Sequence, residues 1–468
     1  MKKKLAFIVI YLLICLGPLV TVGMSRDTSA QEKRESAGFP KAVSDGKINT
    51  EYFTQFDAWF SDHMGGRPFL VSAQTKMKET LFGESAESSV ILGDDGWLFY
   101  EKTVDDFCHV RTMTDRNIAN AVRTLELLSA YCEQRGAEFV FTVAPNKNTL
   151  YPDNMPSRYK VTEERSNLEA LVAALKRADV RYADLVSALE AQDKVLYQAR
   201  DSHWTYEGAM VAYRAIIDKL TQEHDHYPNV TFSANNDWDA DLVNMVYPDA
   251  ADDDEQLYPD LEYTYTLKRS VVMDEALVIE TLGGAGRGSL LMFRDSFANT
   301  MWQYCAQAFG KAEFQRAVPY RMSSVERLGA DTVVLEIVER NLINIVEKAP
   351  LMEAPKAEID ILDAVDMSDA DNRIAFETTN GMTHVYGTID ASWLGDTYRA
   401  YIIVENGGRN TFYEAFPAYE RELLGAETTG DNGYSAYLPE ENVTEDKVVG
   451  ILVETDGRYY YSSRETMK

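Results

Sequence analysis

Cysteine is scarce in this sequence, and its scarcity excludes a disulfide-rich scaffold. The chain has four cysteines. Cys15 lies in an apolar run at the N-terminus, which leaves Cys108, Cys132 and Cys305 for the rest of the protein. An odd, widely spaced set is not a disulfide framework, and without a C-x-x-C pair it does not match a zinc site. One disulfide bond is the alternative, but we expect three small buried thiols.

Positive charge is also in short supply. Against 75 acidic residues there are 46 lysines and arginines, which gives a formal net charge of -29 and a pI near 4.6. A chain of this charge is repelled by phosphate backbones and by anionic lipid surfaces, so neither nucleic acid nor such a surface is expected as the main partner. Neutral and cationic ligands remain open.

The N-terminus carries the longest apolar run of the chain. After Lys4 there is no charged residue until Arg26. About 20 apolar residues span a bilayer, whereas the core of a signal peptide has roughly 7–15. Residues 1–24 are therefore predicted to form a signal-anchor, with a cleaved signal peptide as the alternative, and residues 25–50 a polar linker. Because basic residues before a span stay in the cytoplasm, we expect the rest of the protein to be membrane-anchored and extracytoplasmic.

The length of 468 residues indicates more than one domain. From about residue 110, helical patterns alternate with apolar strands, among them 139–143, 289–293 and 332–338. Such strands are typical of a parallel sheet that is buried on both faces. Residues 51–350 are therefore predicted to form a three-layer α/β/α sandwich with a mostly parallel sheet. Residues 222–280 interrupt this pattern, and we expect an irregular excursion over one end of the sheet.

The composition changes again near residue 355. From there to the end, short apolar strands are separated by glycine and asparagine turns. This spacing predicts that residues 356–468 form a small, β-sandwich-like domain.

One short stretch, residues 200–208, has the pattern of a catalytic turn. Asp201 precedes His203 by two residues, and a helix is predicted to begin shortly afterwards. A carboxylate that accepts a hydrogen bond from one ring nitrogen fixes the imidazole tautomer, so the other nitrogen is free to act as a base. A structural histidine is the alternative. We expect Trp204 to pack and hold the turn.

Ser296 is the best candidate for a nucleophile that such a base would activate. It follows a buried-type strand and precedes a predicted helix, and this kind of corner exposes the hydroxyl beside backbone N–H groups. Capping that helix is the alternative role for the serine. The sequence therefore predicts Ser296, His203 and Asp201 as the catalytic residues.

Three further side chains are predicted near the same edge of the sheet. Asn146 and Lys147 follow strand 139–143 directly, and Arg294 precedes Ser296. Ligands bind outside the carboxyl ends of parallel strands, so these residues are candidates for binding substrate or an oxyanion, with a solvated loop as the alternative for Lys147. A supporting ion pair between Glu336 and Arg340 is also predicted.

No metal or cofactor is predicted. His224 and His226 have the spacing of a metal pair, but no carboxylate and histidine set nearby completes it.

Five motifs, in this order, carry a resemblance to a known family. They are Gly96-Trp97-Leu98-Phe99-Tyr100, Pro145-Asn146-Lys147 with Tyr151-Pro152, Asp201-Ser202-His203-Trp204 with Gly208-Ala209, Asp239-Ala240-Asp241-Leu242, and Asp295-Ser296-Phe297. Together they resemble the SGNH-hydrolase-like O-acetyltransferases of the alginate-acetylation and DHHW type. This chain differs in having Ser202 inside the Asp-x-His turn, and in having Arg294 where plain hydrolases of the superfamily carry glycine.

The resemblance implies an SGNH-like fold with Ser296 as nucleophile, His203 as base and Asp201 as the residue that orients it. It also implies export and a polysaccharide acceptor. Because an exported site has no access to cytosolic acetyl donors, a membrane-bound acyl-donor protein is expected as a partner. An acetylesterase of the same fold and a non-catalytic glycan-binding scaffold are the alternatives. The resemblance further implies that the β-rich tail is placed like the carbohydrate-binding modules of some members.

Overall fold

The computed structural model describes most of the chain between residues 37 and 466. The described residues are 4, 5, 11, 16, 17, 20–22, 37–44, 47–248, 250, 253–269, 277–359, 365–366, 371–379, 381–406, 408–419, 423, 430–443 and 448–466. Much of the predicted anchor and linker therefore lies outside the described residues. Among those that are described, no helix combines the length and apolar character that crossing a bilayer requires.

The N-terminal region contains two small antiparallel pairs and two helices. The strands are β1 (Val43–Ser44), β2 (Lys47–Ile48), β3 (Val90–Leu92) and β4 (Leu98–Tyr100), and the helices are α1 (Tyr52–His63) and α2 (Arg67–Phe82). Strands β3 and β4 form a hairpin, whose turn places Asp95 and Gly96 at positive φ. Helix α2 was not expected from the sequence. Its Pro68 lies in the first turn, where a missing N–H costs no hydrogen bond.

Residues 104–347 hold the α/β region. Its helices are α3 (Val104–Cys108), α4 (Asp115–Glu133), α5 (Lys147–Leu150), α6 (Asn167–Leu175), α7 (Leu185–Glu190), α8 (Tyr206–Ile217), α9 (Asp241–Val246), α10 (Trp302–Ala308), α11 (Ser323–Leu328) and α12 (Asn344–Glu347). Its strands are β5 (Glu138–Ala144), β6 (Tyr182–Ala183), β7 (Phe232–Trp238), β8 (Asp254–Pro259), β9 (Thr266–Leu267), β10 (Val278–Leu282), β11 (Ser289–Phe293), β12 (Lys311–Gln315) and β13 (Thr332–Val338).

Seven of these strands form the main sheet, in the order β6-β5-β13-β11-β12-β10-β9. The pairs from β6 to β12 are parallel, and β10 and β9 add antiparallel pairs at one edge. Strands β5, β13 and β11 are neighbours, so their carboxyl ends meet at one edge of the sheet. This edge is where the chain places the predicted site residues.

Successive residues of β5 alternate between two hydrophobic clusters. Val140 and Ala144 belong to a cluster with α7, α8 and α10, whereas Phe139 and Phe141 belong to one with α4, α6, α11 and α12. Because alternate side chains of a strand point to opposite faces, the sheet is buried on both sides. This burial explains why its central strands are apolar at almost every position.

The segment 222–280 is more regular than expected, so the prediction of an irregular excursion is wrong. It contains the β7–β8 hairpin, helix α9 and strands β9 and β10, the last of which belongs to the main sheet. Its many acidic residues concealed the strands, because the exposed side chains of β7 are nearly all polar. Trp238 at the end of β7 and Asp241 at the start of α9 both contact Asp201.

The tail forms a nine-stranded sheet. Eight strands follow the order β15-β22-β21-β18-β19-β20-β17-β16, and β14 pairs with β19. The strands are β14 (Lys356–Ala357), β15 (Val365–Asp366), β16 (Arg373–Thr379), β17 (Met382–Thr388), β18 (Tyr398–Asn406), β19 (Arg409–Ala418), β20 (Gly433–Pro439), β21 (Val448–Thr455) and β22 (Arg458–Thr466). All pairs are antiparallel except β15 with β22. The predicted β-rich character is thus present, while the domain boundaries stay predictions.

The tail packs against helix α4 of the α/β region. Arg123 on that helix donates two hydrogen bonds of 2.7 Å to the carboxylate of Glu414. A bidentate pair of this kind, with Glu414 buried, is stronger than an exposed ion pair. The two regions therefore share a specific contact.

Candidate active site

Ser296 lies in the turn after β11 and before a short 3₁₀ helix, Phe297–Thr300. The side chain of Asp295, and not that of Ser296, accepts the backbone N–H of Phe297, at 2.9 Å. The Ser296 hydroxyl makes no capping bond to the helix that follows it. The capping alternative is therefore wrong, and the hydroxyl is free to face the loop that carries His203.

The loop before α8 holds His203 through its neighbours. Thr205 caps α8 by accepting the N–H of Gly208, at 3.1 Å. Trp204 is fully buried, and its Nε1 donates to the carbonyl of Phe297 at 2.8 Å. Trp204 thus packs as expected, and it also ties the His203 loop to the helix that begins after Ser296.

The structure brings the three predicted side chains together. His203 Nε2 lies 2.9 Å from the Oγ of Ser296, and His203 Nδ1 lies 2.7 Å from an oxygen of Asp201. The carboxylate accepts only, so Nδ1 carries the proton, and Nε2 accepts the hydrogen bond from the Ser296 hydroxyl. This is the arrangement in which an imidazole can take a proton from a serine as the hydroxyl attacks a carbonyl.

Asp201 is 2% exposed, and both of its oxygens are occupied. One accepts the N–H and the Nδ1–H of His203, and the other accepts Trp238 Nε1 at 3.2 Å and the N–H of Asp241 at 3.0 Å. Four donors around one buried carboxylate fix its orientation. The carboxylate therefore cannot rotate away from the imidazole without losing several bonds.

Two of these partners, Trp238 and Asp241, were not assigned a role from the sequence. Asp241 also accepts the N–H of Ser202 at 2.8 Å and its hydroxyl at 2.5 Å. The β7–β8 hairpin and α9 thus hold the Asp201–His203 turn from the side opposite Ser296. The available signal was the motif Asp239-Ala240-Asp241-Leu242, which marked the segment without indicating what it contacts.

Asp201, His203 and Asp241 each offer one atom within 4.8 Å of the others, a spacing that a metal ion could also use. In this structure the same atoms take part in the hydrogen bonds given above. The hydrogen bonds that orient the imidazole therefore explain why these three side chains lie close together.

Lys147 is buried, which contradicts the alternative of a solvated loop lysine. Its ammonium group donates to three backbone carbonyls, those of Gln198 at 3.1 Å, Ala199 at 3.0 Å and Asp201 at 2.6 Å. Burial lowers the pKa of Lys147 to about 7, and the charges of Asp201 and Asp241 oppose that shift. Since three acceptors match the three donors of an ammonium group, Lys147 holds the loop that carries Asp201.

Asn146 is also buried and engaged. Its N–H donates to Glu339 at 2.8 Å and its Nδ2 to Asp106 at 3.3 Å. Burial raises the pKa of Glu339 to about 7, although the bonds from Thr149 and Asn146 oppose the shift. Asn146 therefore links the end of β5 to the segment that follows β13.

Arg294 and Asp295 support the turn that carries Ser296. Arg294 is buried and donates to Asn299 Oδ1 at 2.6 Å and to the carbonyl of Asp295 at 3.1 Å. The N–H of Asp295 donates to Glu336 at 2.9 Å. Burial, reinforced by the charge of Asp295, raises the pKa of Glu336 well above its usual range. Glu336 contacts this turn, so the predicted ion pair between Glu336 and Arg340 is wrong.

The remaining candidates from the sequence are structural. Cys108, Cys132 and Cys305 are buried free thiols, as expected. His224 Nδ1 donates to the carbonyl of Ala308 at 3.1 Å, and His226 pairs with Asp218.

Comparison with known proteins gives a family for the region that contains the catalytic turn. Residues 90–253 match the family model of the SGNH hydrolase-like domain of the acetyltransferase AlgX. The resemblance inferred from the motifs is thereby confirmed, and so is the α/β class. The matched range includes Asp201 and His203 but ends before Ser296.

Two relatives match with low identity. The "Probable alginate O-acetylase AlgJ" of Pseudomonas putida is 24% identical over 216 residues, which are 46% of this chain and 53% of that protein. The protein of the same name from Pseudomonas aeruginosa is 22% identical over 191 residues, 40% of this chain and 47% of that protein. The chain thus spans about half the length of the curated relatives that it matches.

Solved structures with a partial likeness include PatB1 of Bacillus cereus and the O-acetyltransferase domain of Pseudomonas putida AlgJ. PatB1 is 15% identical with a TM-score of 0.43, over 54% of this chain and 96% of that one. The AlgJ domain is 18% identical with a TM-score of 0.38, over 55% of this chain and 92% of that one. Similarity at this level carries no argument about chemistry.

Proposed function

We propose that this protein is an extracytoplasmic O-acetyltransferase that modifies a cell-surface polysaccharide or exopolysaccharide through an acyl-Ser296 intermediate. The single observation that carries the proposal is the chain of contacts Asp201–His203–Ser296, with distances of 2.7 and 2.9 Å. The match of residues 90–253 to the SGNH hydrolase-like domain of the acetyltransferase AlgX, and the similarity to two probable alginate O-acetylases, support the choice of acetyl group and polysaccharide.

In the first half-reaction, Ser296 attacks the carbonyl carbon of an acetyl donor while His203 Nε2 takes the hydroxyl proton. The tetrahedral intermediate collapses, the bond to the leaving group breaks, and the imidazolium returns the proton to that group. Asp201 stays ionised and stabilises the imidazolium that forms between these events. The products are the acetyl ester of Ser296 and the protonated leaving group.

In the second half-reaction, a sugar hydroxyl gives its proton to His203 and attacks the ester. The bond to Oγ breaks, Ser296 regains its proton from the imidazolium, and the acetylated sugar leaves. When water takes the place of the sugar hydroxyl, the same steps give an acetylesterase. The two activities differ only in which hydroxyl reaches the ester first.

The proposal includes an N-terminal anchor in residues 1–24, a linker in 25–50, and a membrane-bound protein that supplies the acetyl group from the other side of the membrane. These parts rest on the charge and apolar pattern of the sequence. We also propose a three-layer α/β/α sandwich for residues 51–350, supported by the two hydrophobic clusters to which β5 contributes alternately, and a glycan-binding sandwich for residues 356–468.

The experiment is hydrolysis of a chromogenic acetyl ester, 4-nitrophenyl acetate, by the purified protein and by Ser296→Ala. The expected result is an activity that the substitution reduces to the background rate. Ser435→Ala, which removes a hydroxyl that contacts His384 in the tail, is the matched control and should keep the activity. A Ser296→Ala protein with full activity would rule out the proposed mechanism.

To separate transferase from esterase, the same assay is repeated with added oligosaccharide acceptors. A transferase forms an acetylated sugar, detected by mass spectrometry, at the expense of free acetate. Acetate as the sole product with every acceptor supports the esterase.

A further inference from the structure

Attack on an acetyl carbonyl places a negative charge on the carbonyl oxygen, and this charge needs donors close to Ser296. The backbone N–H groups around the nucleophile are mostly used. That of Arg294 donates to Gln315 at 2.8 Å, that of Asp295 to Glu336, and that of Phe297 to Asp295. Among the described residues, the N–H of Ser296 has no acceptor. One backbone donor is fewer than such sites usually supply.

The side chains that the sequence suggested as further donors are committed elsewhere. All three donors of Lys147 contact carbonyls, and the amide of Asn146 donates to Asp106. Arg294 uses one nitrogen of its guanidinium to donate to Asn299 and to the carbonyl of Asp295. A further cation near the edge of the sheet is therefore a candidate for the second donor.

Arg340 has the required properties. Its guanidinium carbon lies 5.5 Å from the ring centre of Tyr100 and 5.9 Å from that of Phe297. Within the described part of the chain, the guanidinium forms no hydrogen bond and no ion pair, although the side chain is half-buried. A guanidinium held on aromatic faces keeps its N–H edges available for another acceptor.

The position of Arg340 relates it directly to the catalytic residues. The Phe297 ring that it covers lies 5.0 Å from the His203 ring, centre to centre, and Phe297 follows Ser296 in the chain. Arg340 also lines a narrow crevice together with Ser202, the residue before His203. On its other side it borders a larger cavity of about 600 Å³ that Tyr100 and Arg111 also line.

The backbone that carries Arg340 is fixed on both sides of the site. Two residues earlier, the N–H of Val338 donates to Asp295 at 2.6 Å, and Asp295 belongs to the turn of the nucleophile. One residue earlier, Glu339 accepts bonds from Asn146 and from Thr149. A donor anchored in this way needs little reorganisation when charge develops, which is the condition for effective catalysis by electrostatics.

We propose that Arg340 is a catalytic residue that donates to the acetyl carbonyl oxygen, together with the N–H of Ser296. It stabilises the charge of the tetrahedral intermediate in both half-reactions, and no proton leaves it. This inference rests on the proposed function, because it assumes acyl transfer at Ser296. It assigns the role of oxyanion donor to a residue that the sequence linked only with Glu336.

The test uses 4-nitrophenyl acetate, whose acetyl group is the only part shared with a natural donor and which carries no anionic sugar. Arg340→Ala is expected to lower kcat about 100-fold with little change in KM, as for removal of one oxyanion donor. Guanidinium chloride at millimolar concentration should restore part of the loss in Arg340→Ala. A purely structural role would not give such a rescue.

Arg111→Ala is the matched control, because Arg111 lines the same larger cavity but is 83% exposed and pairs with Asp105. It should keep the wild-type kcat. Arg340→Lys, with a melting temperature equal to that of the wild type, should keep a charge but lose the forked geometry, and we expect an intermediate kcat.

An Arg340→Ala protein whose kcat lies within twofold of wild type overturns the inference, even where acetylation of a sugar acceptor is impaired, since the residue would then bind the acceptor alone. This outcome leaves the proposed function intact as long as the activity depends on Ser296. Activity that is independent of Ser296 overturns both proposals.

Discussion

Two histidines in this protein make nearly the same contact with a serine, and they lie in very different surroundings. His203 Nε2 is 2.9 Å from Ser296 Oγ in the α/β region, and His384 Nε2 is 2.8 Å from Ser435 Oγ in the tail. His203 has Asp201 at its other nitrogen. His384 instead stacks between Tyr386 and Tyr437, with ring centres 4.6 and 4.3 Å away.

The difference shows that a histidine–serine contact alone does not make a catalytic pair. Asp201 accepts from His203 Nδ1 and so fixes the tautomer in which Nε2 faces the hydroxyl of Ser296, as the proposed base role requires. Burial lowers the pKa of His384 to about 4. Ser435 is itself buried, so a substrate has no access to its hydroxyl.

The two sheets explain why only one pair lies where a ligand can bind. Ser296 follows a strand of a parallel sheet, and the loops after neighbouring parallel strands meet at one edge. His384 and Ser435 instead lie within β17 and β20, in the middle of an antiparallel sheet. In the tail the same two side-chain types belong to the sheet itself, and their contact stabilises strand pairing.

The largest effect is expected from removing the feature that distinguishes the two pairs. Asp201→Asn should reduce kcat for 4-nitrophenyl acetate about 10⁴-fold, because the amide favours the wrong tautomer of His203. The matched change in the other pair, Ser435→Ala, should leave kcat unchanged. Steady-state kinetics of the two variants test the comparison, and an Asp201→Asn protein with near-normal kcat would contradict it.

A second difference between the two pairs is that Lys147 holds the loop that carries Asp201, whereas His384 lies within a strand. Lys147→Met removes the donor to three carbonyls, of which that of Ala199 keeps a bond from the N–H of Leu98, and should lower the free energy of unfolding by about 3 kcal/mol. The activity should fall as well, since the loop that carries Asp201 loses its anchor. Denaturant unfolding measures the first effect.

Lys102→Met is the control for that experiment, because Lys102 is exposed and contacts the ring of Tyr100 at 5.9 Å. We expect a change within about 0.5 kcal/mol for this surface position. Equal stabilities of the two variants would show that Lys147 does not hold the loop.

A smaller effect is expected at the buried carboxyl group behind Ser296. Burial raises the pKa of Glu336 well above its usual range, which favours the neutral carboxyl group, so the uncharged and similarly shaped side chain of Glu336→Gln should keep both fold and activity. Glu336→Ala removes the acceptor of the Asp295 N–H and leaves a cavity, which should cost about 2 kcal/mol. Melting curves of the two variants distinguish these cases.

The sign of the pH effect gives a second check on Glu336. Because its pKa is raised in the folded state, the folded protein binds more protons than the unfolded chain above the ordinary glutamate pKa, and stability falls as pH rises. The melting temperature of Glu336→Gln relative to wild type should therefore increase with pH above about 4.5. A difference in melting temperature between the two proteins that does not change with pH would show that the pKa of Glu336 is not raised in the folded state.

The smallest effect is expected at His384 and appears only in acid. Its folded pKa of about 4 lies below the ordinary histidine value, so the unfolded chain binds more protons between these values and stability is lost as pH falls from about 6.5 to 4. His384→Phe should lose less stability than the wild type over this interval. The melting temperatures of the two proteins are compared at each pH. A difference that is the same at every pH from about 6.5 to 4 would contradict a His384 that is neutral in the folded protein.

Much of the central architecture follows from local patterns in the sequence. The apolar strand Thr332–Val338 has the predicted bounds, and Asp201, His203 and Ser296 meet at the edge of the sheet. Apolar runs identify buried strands, and a carboxylate two residues before a histidine allows a local contact. These features depend on short segments, which is why the sequence alone reveals them.

The supporting contacts were not predictable because they join distant segments. Lys147 contacts carbonyls about 50 residues later, and nothing in its own neighbourhood indicates that it is buried. Trp238 and Asp241 lie in a segment whose acidic composition suggested a loop, yet they orient Asp201. Glu336 and Arg340 are close in sequence, but they face different parts of the site.

The most direct test of the account is covalent labelling with phenylmethylsulfonyl fluoride, followed by peptide mapping by mass spectrometry. We predict a sulfonyl adduct on Ser296 in the wild type, none on Ser435, and loss of the Ser296 adduct in His203→Ala. An unlabelled Ser296, or one that reacts at the same rate in His203→Ala, would contradict the claim that His203 activates this serine.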